Sequence, residues 1–333
     1  MRLCHVIHRT KLVRNTLLLW MIVQVSLQSD AQSFFTPSDT LNNRRFNQAL
    51  IFGTGTYVAL STGLYAAWYA KYPRGRFHLF DDYGEWQHID KLGHVYSSYF
   101  QALLCYKGAK WTGLSENKSM LTGLMCGALF QTTIEVMDGF SSEWGFSLSD
   151  VGANIVGLTS FGLQQKYWGE QRITIKVSSI PQRYPQTAIL STDGTNPMAL
   201  DTRAGDLFGT GYFEKYLKDY NAQTYWASIN VNSFLPSGNK WPTWLNVALG
   251  YGADNMYGGY RNEWIKNGNT YKLDDSLYPR TAQFYLGFDI DLPRTNPRNP
   301  FLKTIFSVFD IFKVPSPAIE VNTQGQFTFH LLR

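Results

Sequence analysis

Three short groups of polar residues stand in otherwise apolar segments: Asp90-Lys91-x-x-His94, Glu135-x-x-Asp138-Gly139 and Ser147-x-x-Asp150-x-x-x-Asn154. An ionisable group in an apolar helix is costly unless it is paired or put to use. Two chemistries suit this set. In the first, His94, Glu135, Asp138 and Asp150 form a mixed nitrogen–oxygen set for a divalent metal such as zinc, manganese or iron. Water on that metal could attack an ester or phosphoester. In the second, no metal is needed. His94 is a general acid/base among the catalytic carboxyls Glu135, Asp138 and Asp150, and Asp90, Lys91 and Asn154 hold the substrate.

Each residue also has a bland reading. Ser147-x-x-Asp150 starts a helix like a capping box, and Asp90 suits the same role. Asp138-Gly139 is an ordinary helix stop. Glu135 and Asn154 have no such explanation, and two acids in a last helical turn oppose the helix dipole. A buried ion-pair network that locks the helices together accounts for the whole set without chemistry. The chain has no Gly-x-Ser-x-Gly and no His-Glu-x-x-His.

The elements that position these groups follow from periodicity. Residues 89–108, 115–138 and 148–167 read as three helices with short connections, so neighbours run antiparallel. All three polar groups then fall at one end of a bundle. Asp90, His94, Ser97 and Gln101 keep one face, as do Gln131, Glu135 and Asp138. An uncharged run from Phe46 to Ala70 supplies a fourth helix, long enough to span a bilayer but studded with Gly53, Gly55 and Gly63. Gly123-x-x-x-Gly127 and Ala153-x-x-x-Gly157 have the spacing of close helix contacts. The charged, aromatic loop 72–87 covers the polar end, as a lid or as a plain connection.

From Ile173 the period changes to two. Strands are expected at 173–177, 225–234, 245–251, 284–292, 318–321 and 326–331, with helices near 211–220 and 300–312 and a loop at 181–203. Six strands are too few for a self-contained outer-membrane barrel; a small closed or half-open sheet is not excluded. The fold class is therefore α+β. A four-helix, membrane-associated bundle (46–172) precedes a mixed, mostly antiparallel, aromatic-rich β domain (173–333) with two helices.

Arg2, Arg9, Lys11 and Arg14 ahead of the apolar stretch Thr16–Leu27 read as a signal peptide (1–31), cut after Ser29-Asp30-Ala31. A flexible polar lead-in (32–45) follows. Without the leader, 26 basic residues face 24 acidic ones, so there is no nucleic-acid footprint. Cys105 and Cys126 are equally compatible with a disulfide and with two buried thiols.

The strings Asp90-Lys91-Leu92-Gly93-His94, Glu135-Val136-Met137-Asp138-Gly139-Phe140-Ser141 and Gly145-Phe146-Ser147-Leu148-Ser149-Asp150 through Asn154 and Gly157 resemble the YfiM-like family of predicted periplasmic proteins, a domain of unknown function. The likeness runs over about residues 40–175. Trp244–Tyr251 and Lys313–Glu320 are similar to the longer members. The order of motifs is also similar to VanZ-like membrane proteins, which are linked to glycopeptide resistance. Some YfiM-like members look like lipoproteins, but no Cys follows the apolar core here. The resemblance implies an exported protein of the periplasm or outer membrane in a Gram-negative-type envelope, and it implies no reaction. Three functions stay open. The first is a structural or interaction component bound to a membrane or envelope partner. The second is a hydrolase or transferase on a lipid or other envelope substrate. The third is a metal-binding protein without turnover.

Overall fold

The computed structural model describes residues 34–70 and 72–333; the expected signal peptide and its cleavage point lie outside them. The helical half contains α1 (Asn43–Leu64), α2 (Ile89–Trp111), α3 (Glu116–Gly139) and α4 (Leu148–Trp168). Helices α2, α3 and α4 pack as a tight antiparallel trio. On α3 the buried residues Ser119, Gly123, Gly127, Gln131, Glu135 and Gly139 recur every fourth position, forming one ridge. The glycines on that ridge let backbones touch: a Cβ on Gly123 would collide with the Ala102 carbonyl of α2. On α4, Gly157 does the same, since a Cβ there would meet Ser98 Oγ and the Val95 carbonyl.

Helix α1 differs from the trio. It lies against α2 and α3 but buries none of its residues. Leu50, Ile51, Phe52, Val58 and Leu60 are all exposed, Phe52 at 77 %. The expectation of four packed helices is therefore corrected: three helices pack, and the fourth is an apolar helix lying outside them. The segment just before it, expected to be mobile, is pinned from Phe34 onward. The Phe34 ring packs edge-on against Trp111, Arg45 donates to the Thr36 carbonyl, and Asn42 N–H donates to the Thr112 carbonyl.

The second half is built on a six-stranded sheet in the order β1-β4-β5-β8-β9-β10, antiparallel throughout. Its strands are β1 (Ile173–Ser179), β4 (Gln223–Ile229), β5 (Leu245–Asp254), β8 (Thr281–Ile290), β9 (Ala318–Asn322) and β10 (Phe327–His330). Two small hairpins decorate it: β2 (Ala188–Leu190) with β3 (Pro197–Ala199), and β6 (Glu263–Lys266) with β7 (Asn269–Lys272). Helices α5 (Leu200–Phe208), α6 (Tyr212–Lys218) and α7 (Pro300–Phe309) complete the half, three where two are expected; the β2–β3 hairpin and the start of α5 lie within the stretch 181–203 expected to be a loop.

The sheet curls back on itself. The stretch leading into β9 bonds to the free edge of β1: Val177 N–H donates to the Ile311 carbonyl, and Lys313 N–H to the Val177 carbonyl, both at 3.0 Å. Its two faces are inverted relative to a water-soluble sheet. The inner face carries Thr174, Lys176, Thr224, Trp226, Ser228, Asn246, Asp289 and Glu320, all buried. The outer face carries the cross-strand rows Leu249–Leu286–Ile319–Phe329 and Tyr251–Phe284–Val321–Phe327. Helix α2 covers this outer face over β1 and β4, where Ile89 packs with Val177 and Tyr225. Beyond β4, Leu249, Phe284, Leu286, Phe288, Ile319, Phe327 and Phe329 are exposed.

Cys105 and Cys126 are free thiols next to each other, with no bridge between them.

Candidate functional site

The start of α2, the end of α3 and the start of α4 meet at one end of the trio, as antiparallel packing requires. Each start has a local cause. Ser147 caps α4 by accepting from Asp150 N–H. The chain enters α2 through Trp86, Gln87 and His88, three consecutive non-glycine residues at φ of 50°, 52° and 63°. Left-handed backbone costs about 1–2 kcal/mol per residue, so the turn must be held from outside. Trp86 N–H donates to the Gly259 carbonyl, and Tyr251 donates its hydroxyl to the Gln87 carbonyl. The β half thus sets the direction in which Asp90 and Lys91 enter the cluster.

Lys91 is the hub. Its Nζ lies 2.6 Å from Asp150 Oδ1, 2.7 Å from Asp82 Oδ1 and 2.9 Å from Asp90 Oδ2. Asp82 also accepts from the Ser147 and Ser149 hydroxyls, and Asp90 from the Tyr220 hydroxyl. His94 stands one turn along α2. Its Nδ1 is 3.3 Å from Asn154 Oδ1 and 3.5 Å from Glu135 Oε1, while its Nε2 is 3.7 Å from Asp150 Oδ1. Glu135 is 1 % exposed; no hydrogen bond of good geometry reaches either carboxylate oxygen, and only the Ser147 backbone N–H and the His94 ring at 3.5 Å act on the group.

The charges shape one another. Burial acts against the Asp82 carboxylate, but Lys91 and the two serine hydroxyls overcome it and hold the group down at about 2. Burial pushes Asp150 up to about 8: the Asp90 charge adds to it, and together they outweigh His94 and Lys91. Burial also disfavours the His94 imidazolium, yet the Asp90, Asp150 and Glu135 carboxylates hold its pKa above the ordinary value. Glu85, buried beside Asp82 and Asp90, is pushed up to about 7.

Of the residues singled out from the sequence, Asp90, Lys91, His94, Glu135, Asp150 and Asn154 come together. Asp138 stands apart from His94: its Oδ1 accepts from the Tyr69 hydroxyl at 2.8 Å. The sequence reading missed Asp82, Ser149, Tyr220 and Tyr69 as partners. Asp82 belongs to the charged loop 72–87, which lies over the cluster and is stitched down by Gly75 N–H to the Phe140 carbonyl and Phe80 N–H to the Phe146 carbonyl. Tyr220 had no local signal, since it arrives from the far half of the chain. A cleft of about 470 Å³, lined in part by Tyr260, Arg261, Glu263, Lys272 and Arg280, includes none of the cluster residues.

Residues 79–166, which hold nearly the whole cluster, match a family described as predicted periplasmic lipoprotein (DUF2279). No curated protein and no solved structure matches the chain. The match covers less than half of the chain; it places the protein outside the cytoplasm, in the periplasm or the envelope.

Proposed function

We propose that the protein is a lipid-bound component of the cell envelope, with a structural or interaction role and no turnover of its own. The inverted sheet carries this reading. In water an apolar face turns inward and a polar face outward, and here both are reversed. Such a reversal suits a surface that meets lipid, as in barrels whose outward residues face acyl chains. Contiguous exposed apolar patches beyond a few hundred Å² mark partner or membrane contacts. Helix α1 supports the reading from the other half. With the turn that follows it (Asn43–Tyr69) it is apolar and long enough to cross a membrane, and its apolar stretch is not buried; Glu116–Gly139 is also long and apolar enough, with Leu121, Met125 and Leu129 facing outward. The four-helix, membrane-associated bundle, the YfiM-like likeness and the VanZ-like order of motifs belong to this proposal. So does a division into a helical and a β-rich domain near residue 172.

Vesicle flotation of the purified mature protein tests it. The wild type is expected to need detergent and to float with lipid vesicles. Phe284→Lys with Leu286→Lys on the sheet, and Ile51→Lys with Phe52→Lys on α1, should each reduce flotation. A wild type that is monomeric without detergent and stays at the bottom of the gradient overturns the proposal.

A further inference from the structure

Asp90, His94 and Asp150 each offer one donor atom, and the three atoms lie within 4.8 Å of one another. The 3.7 Å between His94 Nε2 and Asp150 Oδ1 suits two donors that each stand about 2.0–2.2 Å from one shared ion. A second, separate observation points to a ligand here. Glu135 is buried without a hydrogen bond of good geometry to either oxygen, the Ser147 backbone N–H being its one weak donor, and it faces His94 on the opposite ring edge, at Nδ1. Buried carboxylates that lack well-placed donors are rare in folded proteins. Four carboxyl groups, those of Asp82, Asp90, Glu135 and Asp150, surround one ammonium and one imidazole.

We propose that Asp90, His94 and Asp150 bind one divalent cation of the zinc or manganese class, with Glu135 as the carboxylate that receives Nδ1–H of the metal-bound ring. A ligating histidine nearly always donates its second ring N–H to a carboxylate or carbonyl, which fixes the tautomer and strengthens the ligand. That role gives Glu135 the well-placed donor it lacks, and Asn154 accepts on the same side of the ring. One imidazole with two carboxylates is a borderline set that suits zinc, manganese or ferrous iron, with room for water. Lys91 keeps Asp82 as its partner when the ion engages Asp90 and Asp150. Asp138, expected from spacing to be a ligand, is left to Tyr69. The site lies among α2, α3 and α4 and does not depend on the lipid-facing surfaces.

The test uses the purified full mature chain, stripped with chelator and titrated separately with Zn²⁺ and Mn²⁺. Bound metal is measured by elemental analysis after gel filtration, and the thermal midpoint is followed against ion concentration. The wild type is expected to hold one equivalent of at least one of the ions and to melt at a rising temperature as it loads, because the ion binds the native state. His94→Gln should lose the metal. Glu135→Gln should weaken binding by about 10–100-fold, the usual effect of losing such an outer partner. Asp138→Asn should bind like the wild type. A wild type that retains neither ion and shows no change in midpoint overturns the proposal whatever the variants do. A folded His94→Gln with undiminished binding overturns it as well. Should His94→Gln fail to fold, the wild-type stoichiometry and the Glu135→Gln affinity decide.

Discussion

Lys91 in the helical half and Lys176 in the β half are both buried, and both bridge more than one aspartate, but their surroundings close differently. Lys176 lies 2.7 Å from Asp289 and 2.8 Å from Asp310, and it donates a third bond to the Ile290 carbonyl. The remaining acceptor capacity is used too: Asp289 takes Ser228 Oγ–H and Val314 N–H, and Asp310 takes Leu292 N–H. Around Lys91 the carboxyls outnumber the cations, and Glu135 is left without a hydrogen bond of good geometry. The first network is complete within the chain. The second would be completed by the proposed ion. Burial and charge alone therefore do not separate a structural ion pair from a site, whereas the count of satisfied atoms does.

The largest effect should come from opening the complete network. Lys176→Met leaves Asp289 fully buried and unpaired, and breaking such a pair from one side costs about 3–5 kcal/mol. Denaturant unfolding should show this loss at any divalent-ion concentration. Lys91→Met should also destabilise, but added Zn²⁺ or Mn²⁺ should restore part of the loss, because the carboxylates it frees are those of the proposed ion site. Equal ion rescue of both variants would erase the distinction between the two networks.

The networks should also respond to pH in opposite senses. In the β half, burial, with Lys176 and Arg333 adding to it, pushes the Lys313 amine down to about 8. Between pH 8 and the ordinary lysine value the unfolded chain holds a proton that the folded one has released. Stability from this group therefore rises with pH across that window. In the helical half, Asp150 raised to about 8 keeps its proton in the folded state at pH values where the unfolded chain has lost it. Its contribution therefore falls as pH rises from about 4 to 8. Melts across pH 4–10 for Lys313→Met and Asp150→Asn check both signs, each variant removing its own slope.

Packing of the trio gives a smaller expected effect. Gly157→Ala drives a methyl group into Ser98 Oγ and the Val95 carbonyl, the approach that lets α2 and α4 share the cluster. Overpacking of this kind costs about 1–3 kcal/mol. Gly152→Ala on the same helix, with no atom within 4 Å of the new methyl, is the matched control and should be neutral or slightly stabilising.

Much of this architecture was legible in the residues. Helix periodicity located α2, α3 and α4 to within a few residues, and alternation located all six strands of the main sheet. What periodicity could not show was which side of the alternation faces the interior. Period two is the same for an inward apolar face and an outward one, and here the interior takes Lys176, Asp289 and Arg333. The left-handed turn at Trp86–His88 carries no glycine or asparagine to announce it. The Asn267-Gly268 pair between β6 and β7 does carry a hairpin signal, and both residues take positive φ. At the site, helical spacing brought six of the seven singled-out residues together. It failed for Asp138, because i, i+3 and i, i+4 positions share a face while only one of them points at His94. Asp82 and Tyr220 reach Lys91 and Asp90 through long-range topology that no local pattern encodes.

The smallest predicted change is also the sharpest comparison of the two networks. Neutralising a carboxylate by its isosteric amide removes charge while keeping shape. At Asp289 the carboxylate pairs with Lys176 and accepts from Ser228 and Val314, so Asp289→Asn should destabilise by about 1–3 kcal/mol, the range for stranding a buried partner. At Glu135 the metal-free protein has no hydrogen bond of good geometry to lose. Glu135→Gln should then leave stability within about 1 kcal/mol of the wild type, or raise it, because a neutral amide is easier to bury than a carboxylate. Adding the ion should reverse the order, since a carboxylate supports a metal-bound His94 ring more strongly than a neutral amide carbonyl does. Denaturant titrations of both variants with chelator and with Zn²⁺ or Mn²⁺ measure this directly. A metal-free Glu135→Gln that is destabilised as much as Asp289→Asn would mean that Glu135 already has its partner in the folded chain. The two networks would then be of one kind.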